Sequence, residues 1–247
     1  MKLIFNFNLI LNFYYNRLTT LKKMKRKDLE YKDKVKTAAF DLRFLLERGY
    51  RKKSALNFVA NRYLLDMRQR NHLVRTVFSR EESIKRQEKL VDIHHINGRN
   101  LFVDGYNVLI TVESIYKDRS SIVACDDGVL RDVNAVFGKY KINKWTEAAL
   151  NHIISLLKQH KPHCVKFIYD SPVSRSGELS KLTNKVINVY KINGCAVTSK
   201  NTDFELVKLS NEFNGIVATS DSAVMDKVKE VLDVPSKLCQ LESTARK

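Results

Sequence analysis

The chain has 247 residues with 44 Lys+Arg against 27 Asp+Glu, a formal charge of +17, a length that allows one large domain or two modest ones. No segment is long and apolar enough to span a bilayer, which argues against a helical membrane protein and against a membrane partner. The four cysteines, Cys125, Cys164, Cys195 and Cys239, form no C-x-x-C pair, so neither a zinc site nor a disulfide framework is expected and a reducing cytoplasm fits best.

The charge is unevenly spread. Residues 1–100 hold 24 Lys+Arg against 10 Asp+Glu, and residues 101–247 hold 20 against 17. A basic module joined to a nearly neutral one is the footprint of a polyanion partner, most often nucleic acid. A merely soluble lysine-rich surface is the alternative.

In chain order, Met1–Leu21 is apolar but carries Asn6, Asn8, Asn12 and Asn16 and is followed by the basic run Lys22–Lys27. It lacks a small-residue cleavage site. Residues 1–27 are expected to be disordered or an over-extended reading frame, with Met24 as the true start. From Leu29 to Arg48, Val35, Ala38, Ala39, Leu42, Leu45 and Leu46 recur at helical spacing, and Gly49 closes the helix. Arg51, Lys52 and Lys53 lead to Ser54, a good N-cap for a second helix through Ala55, Leu56, Val59, Ala60, Tyr63 and Leu64. A third helix, Met67–Phe78, turns Leu73, Val74, Val77 and Phe78 inward and Arg68, Arg70, Asn71 and Arg75 outward. Residues 28–79 thus read as a basic, helix-turn-helix-like module. Its candidate nucleic-acid contacts are Arg51, Lys52, Lys53, Arg68, Arg70 and Arg75; a plain helical bundle with solvated arginines is the competing reading.

Residues 80–99 read as a linker and hairpin: Arg80–Lys89 is polar, and Asn97-Gly98 is a hairpin turn signal between apolar flanks. His94 and His95 fall on opposite sides of such a strand and are taken as structural or surface residues. The stretch from Leu101 to Ile110 reads as a buried parallel strand interrupted by Asp104, Gly105 and Asn107. Thr111–Lys144 follows as a long irregular span with an acidic stretch, Asp126–Asp132. Trp145-Thr146 opens a helix with Thr146 as a plausible cap. The remainder alternates: strand Cys164–Tyr169 before Asp170, helix Gly177–Val189, strand Cys195–Val197, helix Thr202–Asn214, strand Ile216–Thr219 and helix Ser222–Leu232.

This alternation predicts an α/β fold, a parallel Rossmann-like sheet flanked by helices over residues 100–247, preceded by the small all-α module. Four short apolar runs are each followed by an aspartate, Asp104, Asp170, Asp203 and Asp221, more than turn chemistry usually supplies. Open α/β sheets bind ligands at the carboxyl ends of their strands. Neither G-x-G-x-x-G nor G-x-x-x-x-G-K-[ST] occurs where dinucleotide or P-loop binding would need it.

Asp104-Gly105-Tyr106-Asn107, Asp170, Asp203 and Ser220-Asp221 together resemble a PIN-like domain of the NYN type. Phe40–Tyr50 and Ala55–Asn71, with the stretches Asp104–Glu113, Asp126–Asp132 and Ser171–Glu178, resemble domain-of-unknown-function family 434, found largely in archaea. The PIN-like resemblance implies a metal-dependent endoribonuclease, with RNA favoured over DNA. Catalytic residues would be Asp104, Asn107, Asp170, Asp203 and Asp221, with Mg²⁺ or Mn²⁺ held by the four aspartates. A hard dication relieves the mutual repulsion of such carboxylates. Asp126 and Asp127 either supplement that shell or cap and pair with Arg131. Ser174, Arg175 and Ser176, before a helix, either hold a phosphate or serve only as an N-cap through Ser176. A non-catalytic nucleic-acid-binding or regulatory protein with a PIN-like fold is the alternative, and a hydrolase of small phosphate esters a weaker third.

Overall fold

The computed structural model describes residues 33–134 and 140–245; the expectations for residues 1–27 lie outside them. The chain divides into two compact units, one ending at Leu73 and the other starting at Val74. The division falls inside the third helix rather than after Ser79.

In the first unit, helix α1 covers residues 33–47, α2 is Lys52–Arg62 and α3 begins at Met67. Val35, Ala38, Leu42, Leu46, Ala55, Val59, Ala60, Leu65 and Leu73 are buried in it. Gly49, at φ +79°, donates its N–H to the Leu46 carbonyl and ends α1. Ser54 is not the cap of α2, which starts two residues earlier with Arg51 in the cap position. Asp66 and Gln69 exchange bonds of 2.8 and 2.9 Å and so start α3. That helix ends at Thr76, so Val77 and Phe78 lie beyond it.

The second unit continues with α4 (Arg80–Gln87), opened by a reciprocal Ser79–Glu82 capping box. No hairpin follows. Ile93–Ile96 is a 3-10 turn capped by Asp92, and Gly98 at φ +68° turns the chain into strand β1 (Asn100–Asp104). Residues on either side find different partners instead of each other, Leu90 bridging Val231 and Asn97 bridging Pro162.

The larger correction is at the strand's other end. β1 stops at Asp104, and α5 runs Gly105–Lys117. The apolar stretch after Gly105 is a helix buried almost all round, which periodicity cannot distinguish from a buried strand. A short antiparallel pair follows, β2 (Ile122–Ala124) and β3 (Leu130–Asp132). Then come α6 (Thr146–Gln159), β4 (Cys164–Asp170), α7 (Ser176–Tyr190), β5 (Gly194–Ser199), α8 (Thr202–Glu212) and β6 (Ile216–Ala218). The expected final helix is only α9 (Ser222–Met225), followed by an unforeseen strand β7 (Val231–Leu232) and helix α10 (Val234–Ala245). Thr146 is inside α6, not its cap; its hydroxyl bonds Glu113 and Tyr140.

The main sheet is parallel throughout, in the order β5-β4-β1-β6-β7. Alternate residues serve opposite faces. Leu101, Val103, Phe167 and Tyr169 pack with α5, α6, α7 and α10, and Phe102, Ile168 and Val217 pack with α8 and α9. Helices therefore cover both faces, as the continuous apolar strands require. Among the described residues no helix is long and apolar enough to cross a membrane.

Candidate functional site

From β1 the chain moves outward through β4 to β5, then returns to the other side of β1 for β6 and β7. The direction reverses between β1 and β6, which leaves a crevice outside the carboxyl ends of those two strands. Asp104 ends β1, and Thr219, Ser220 and Asp221 follow β6. Asp170 ends β4, and Asp203 sits in the first turn of α8 after β5. All four acids thus stand at one edge of the sheet.

Asp104 is 6 % exposed. Its Oδ2 accepts a 2.8 Å bond from the Thr219 hydroxyl across the crevice, and its Oδ1 a 3.4 Å bond from the Asn107 N–H. Burial, aided by the charges of Asp221 and Asp170, pushes its pKa up to about 7 against those two bonds. Burial also raises Asp170. Asp203 is raised by burial and by the charges of Asp221 and Asp170, with Lys227 opposing. The acids feel one another, and Lys227 is the nearby cation that relieves Asp203. Asn107 ties the two loops together: its Oδ1 accepts from the Ser220 N–H at 2.8 Å and the Ser220 hydroxyl at 2.9 Å. Gly105 is required between them, because a Cβ there would lie 2.4 Å from the Tyr169 ring.

The donor chemistry, hard oxygens short of positive charge, fits Mg²⁺ or Mn²⁺. Among the described residues, however, no three His, Cys, Asp or Glu side chains are grouped closely enough to hold an ion as they stand. Like charges spread such side chains apart, and Asp221 turns its Oδ1 to the Ala223 N–H at 2.7 Å.

Several candidates are occupied elsewhere. Asp127 is fully buried and bonds both terminal nitrogens of Arg131 at 2.6 and 2.7 Å, with Arg86 at 3.3 Å. It is a structural ion pair rather than part of a metal shell, because two guanidiniums already neutralise it. Asp126 accepts from the Phe78 N–H. Ser174 is exposed, Arg175 pairs with Glu178, and Ser176 donates to the Ser171 carbonyl instead of capping α7. Arg51, Lys53 and Arg68 are exposed and Lys52 is half-buried. Arg70 braces the α2–α3 connection through the Leu65 carbonyl and Asn61, and Arg75 donates to the Asp132 carbonyl at 2.6 Å. Backbone carbonyls thus hold both of these arginines, which the sequence predicts to face outward, one locally and one across 57 residues.

Sequence reasoning missed a cavity of about 190 Å³ beside the acid edge, bounded by Val74, Arg75, Phe78, Asn107, Asp132 and Asp221 among others. Its walls come from four separate stretches, so no local pattern marks it. It also missed the exposed Phe40, Phe44, Tyr50 and Phe58 of the basic module, whose exposure only packing decides.

A family model described as "Domain of unknown function (DUF5616)" matches residues 93–237, more than half of the chain. The chain belongs to the DUF5616 family. Its preceding residues 34–89 match "Protein of unknown function (DUF434)". An "Uncharacterized protein MJ0935" of Methanocaldococcus jannaschii is 37% identical over 202 residues, covering 81% of this chain and 94% of that protein. No solved structure matches. Asp104, Asp170, Asp203 and Asp221 all fall within the DUF5616 match, and Arg51, Lys52 and Lys53 within the DUF434 match. Neither description carries an activity.

Proposed function

We propose that this DUF5616 protein is a metal-dependent nuclease acting on RNA, with a PIN-like catalytic edge and a basic helical module that gathers the strand. The observation that carries the reading is that four acids from non-consecutive segments stand at one edge of the sheet, short of cationic partners. A sheet with only a structural role has no reason to accumulate that repulsion. Mg²⁺ or Mn²⁺, when bound, supplies an acidified water and neutralises charge on the phosphate. Asp104, Asp170, Asp203 and Asp221 would hold it. Thr219 fixes the Asp104 carboxylate through its hydroxyl. Asn107, with its carbonyl oxygen committed to Ser220, offers only N–H donors to the crevice, suited to a phosphate or water oxygen. Because Asp104 retains a proton near neutrality, taking up a cation there releases one. In the basic module, exposed Phe40, Phe44, Tyr50 and Phe58 provide stacking faces among cations, which suits a single strand.

The separation of the acid side chains favours the other reading, a nucleic-acid-binding protein without turnover. The test is to incubate the purified full chain with mixed-sequence RNA in Mn²⁺ or in chelator. Cleavage in Mn²⁺ alone, abolished by Asp104→Asn with RNA binding kept, is the expected outcome. Retained cleavage by that variant would refute the proposed centre, and binding without cleavage would leave the non-catalytic reading.

A further inference from the structure

The loop Thr219–Asp221 carries more of the acid edge than its own elements can hold in place. The three-residue strand β6 precedes it and the four-residue helix α9 follows it, and elements so short are marginal on their own. Yet Thr219 fixes the Asp104 carboxylate at 2.8 Å, and Asp221 is itself one of the four acids. Ser220, between the two, is 4 % exposed and is gripped by two other parts of the unit. Its N–H and hydroxyl donate to the Asn107 Oδ1. Its carbonyl accepts a 2.7 Å bond from the Nε–H of Arg131. A site that gathers carboxylates for a cation depends on such support, because its geometry must hold to within about 0.5 Å.

Arg131 is anchored in turn. It comes from β3, and its Nη1 and Nη2 donate to the two oxygens of Asp127, in the turn of the same hairpin, at 2.6 and 2.7 Å. This bidentate pair sets the plane of the guanidinium, and the Phe78 ring centre lies 5.0 Å from its central carbon. Once the plane is set, the direction of Nε–H is set with it, and the Ser220 carbonyl receives it. The charge balance matters as much as the geometry. An unpaired guanidinium beside the acids would favour their charged forms and compete with a cation for them. Paired with the buried Asp127, Arg131 supplies a donor without supplying net charge.

We infer that Arg131 is a positioning residue of the acid edge: it holds Ser220, and with it Thr219 and Asp221, in place against Asp104. The inference rests on the metal-binding reading of that edge and names the residue that fixes its loop. It gives a use to a buried ion pair, which seldom offsets its own desolvation.

The test is Arg131→Lys in the full chain. Lysine keeps the charge beside Asp127 but presents one compact ammonium in place of a planar fork, so it cannot serve Asp127 and Ser220 with the same geometry. Arg99→Lys is the control. It makes the same exchange just before β1, at the other end of that strand from Asp104, where Arg99 grips Glu230 and the Asn214 carbonyl. Mn²⁺ affinity by titration calorimetry is expected to fall about 10-fold in Arg131→Lys and to keep its original value in Arg99→Lys. Amide hydrogen exchange in chelator is expected to quicken at Ser220 and Asp221, both hydrogen-bonded in the loop, beyond any change at the β6 amides. A merely structural arginine would quicken exchange throughout the unit and leave Mn²⁺ affinity where it was. Unchanged affinity for Mn²⁺ in a chain that binds it, or loop amides that move only with those of β6, overturns the inference. If the original chain binds no Mn²⁺, the metal reading fails and the exchange comparison alone decides whether Arg131 holds the loop. Should Arg131→Lys not fold, the unaltered chain decides: its Arg131 Nε–H is expected to exchange as slowly as the β6 amides, and fast exchange overturns the inference.

Discussion

Replacing Asp104 by asparagine in the metal-free protein should change stability in opposite directions at low and high pH. The reason lies in burial. An aspartate moved from 3.8 to about 7 costs on the order of 4 kcal/mol more to ionise in the fold than in the unfolded chain. Between those values the unfolded chain has released the proton and the folded chain retains it. Stability therefore falls as pH rises from about 4 to about 7, and the full loss is present above that window. Asparagine is neutral throughout. Its carbonyl can accept from Thr219, as Asp104 does at 2.8 Å, but its NH₂ cannot accept from the Asn107 N–H. That loses about 1 kcal/mol. The variant should thus be about 1 kcal/mol less stable near pH 4 and about 3 kcal/mol more stable near pH 8. Urea unfolding in chelator, followed by circular dichroism at both pH values, measures the difference directly. A stability difference that does not change with pH would show that Asp104 is not held in the strained state described. Saturating Mn²⁺ should stabilise the original chain, by about 2.7 kcal/mol at a hundredfold excess over Kd, and leave the variant nearly unmoved.

Asp127→Asn removes the charge that neutralises Arg131 and Arg86 and should destabilise the fold by about 3 kcal/mol at neutral pH in a denaturant melt; a stable variant with weakened Mn²⁺ binding would return Asp127 to the metal shell. Gly105→Ala drives a methyl group into the Tyr169 ring and should lower stability by about 1–3 kcal/mol, with an unchanged melting midpoint counting against the tight β1–α5 turn. Changing Arg51, Lys52 and Lys53 to glutamine should weaken RNA binding and reduce the salt slope by about 2 if all three meet phosphates of a single strand. An unaltered slope in a fluorescence-anisotropy titration would put the strand elsewhere.

The sequence alone determined the fold class and the identity of the acids at the edge. Short apolar runs at regular intervals can be buried only between two layers of helices. An aspartate just after each run can be tolerated only at a strand end. Local chemistry also fixed Gly49 as a helix stop, since a positive φ favours glycine. What remained illegible depended on partners distant in the chain. Whether Tyr106–Val112 is strand or helix is decided by the surrounding packing, because a fully buried helix has no polar face to give it a period. β7 has two residues and exists only because β6 lies beside it. The acidic loop's Asp127 reads as a metal ligand until Arg86, 41 residues earlier, is found against it. The Asp132 carbonyl finds Arg75, 57 residues away, and the cavity they border is closed by Asn107 and Ser220 from two further stretches. Such residues acquire charge partners, or lack them, only when the chain has closed, and that is a property of the tertiary structure.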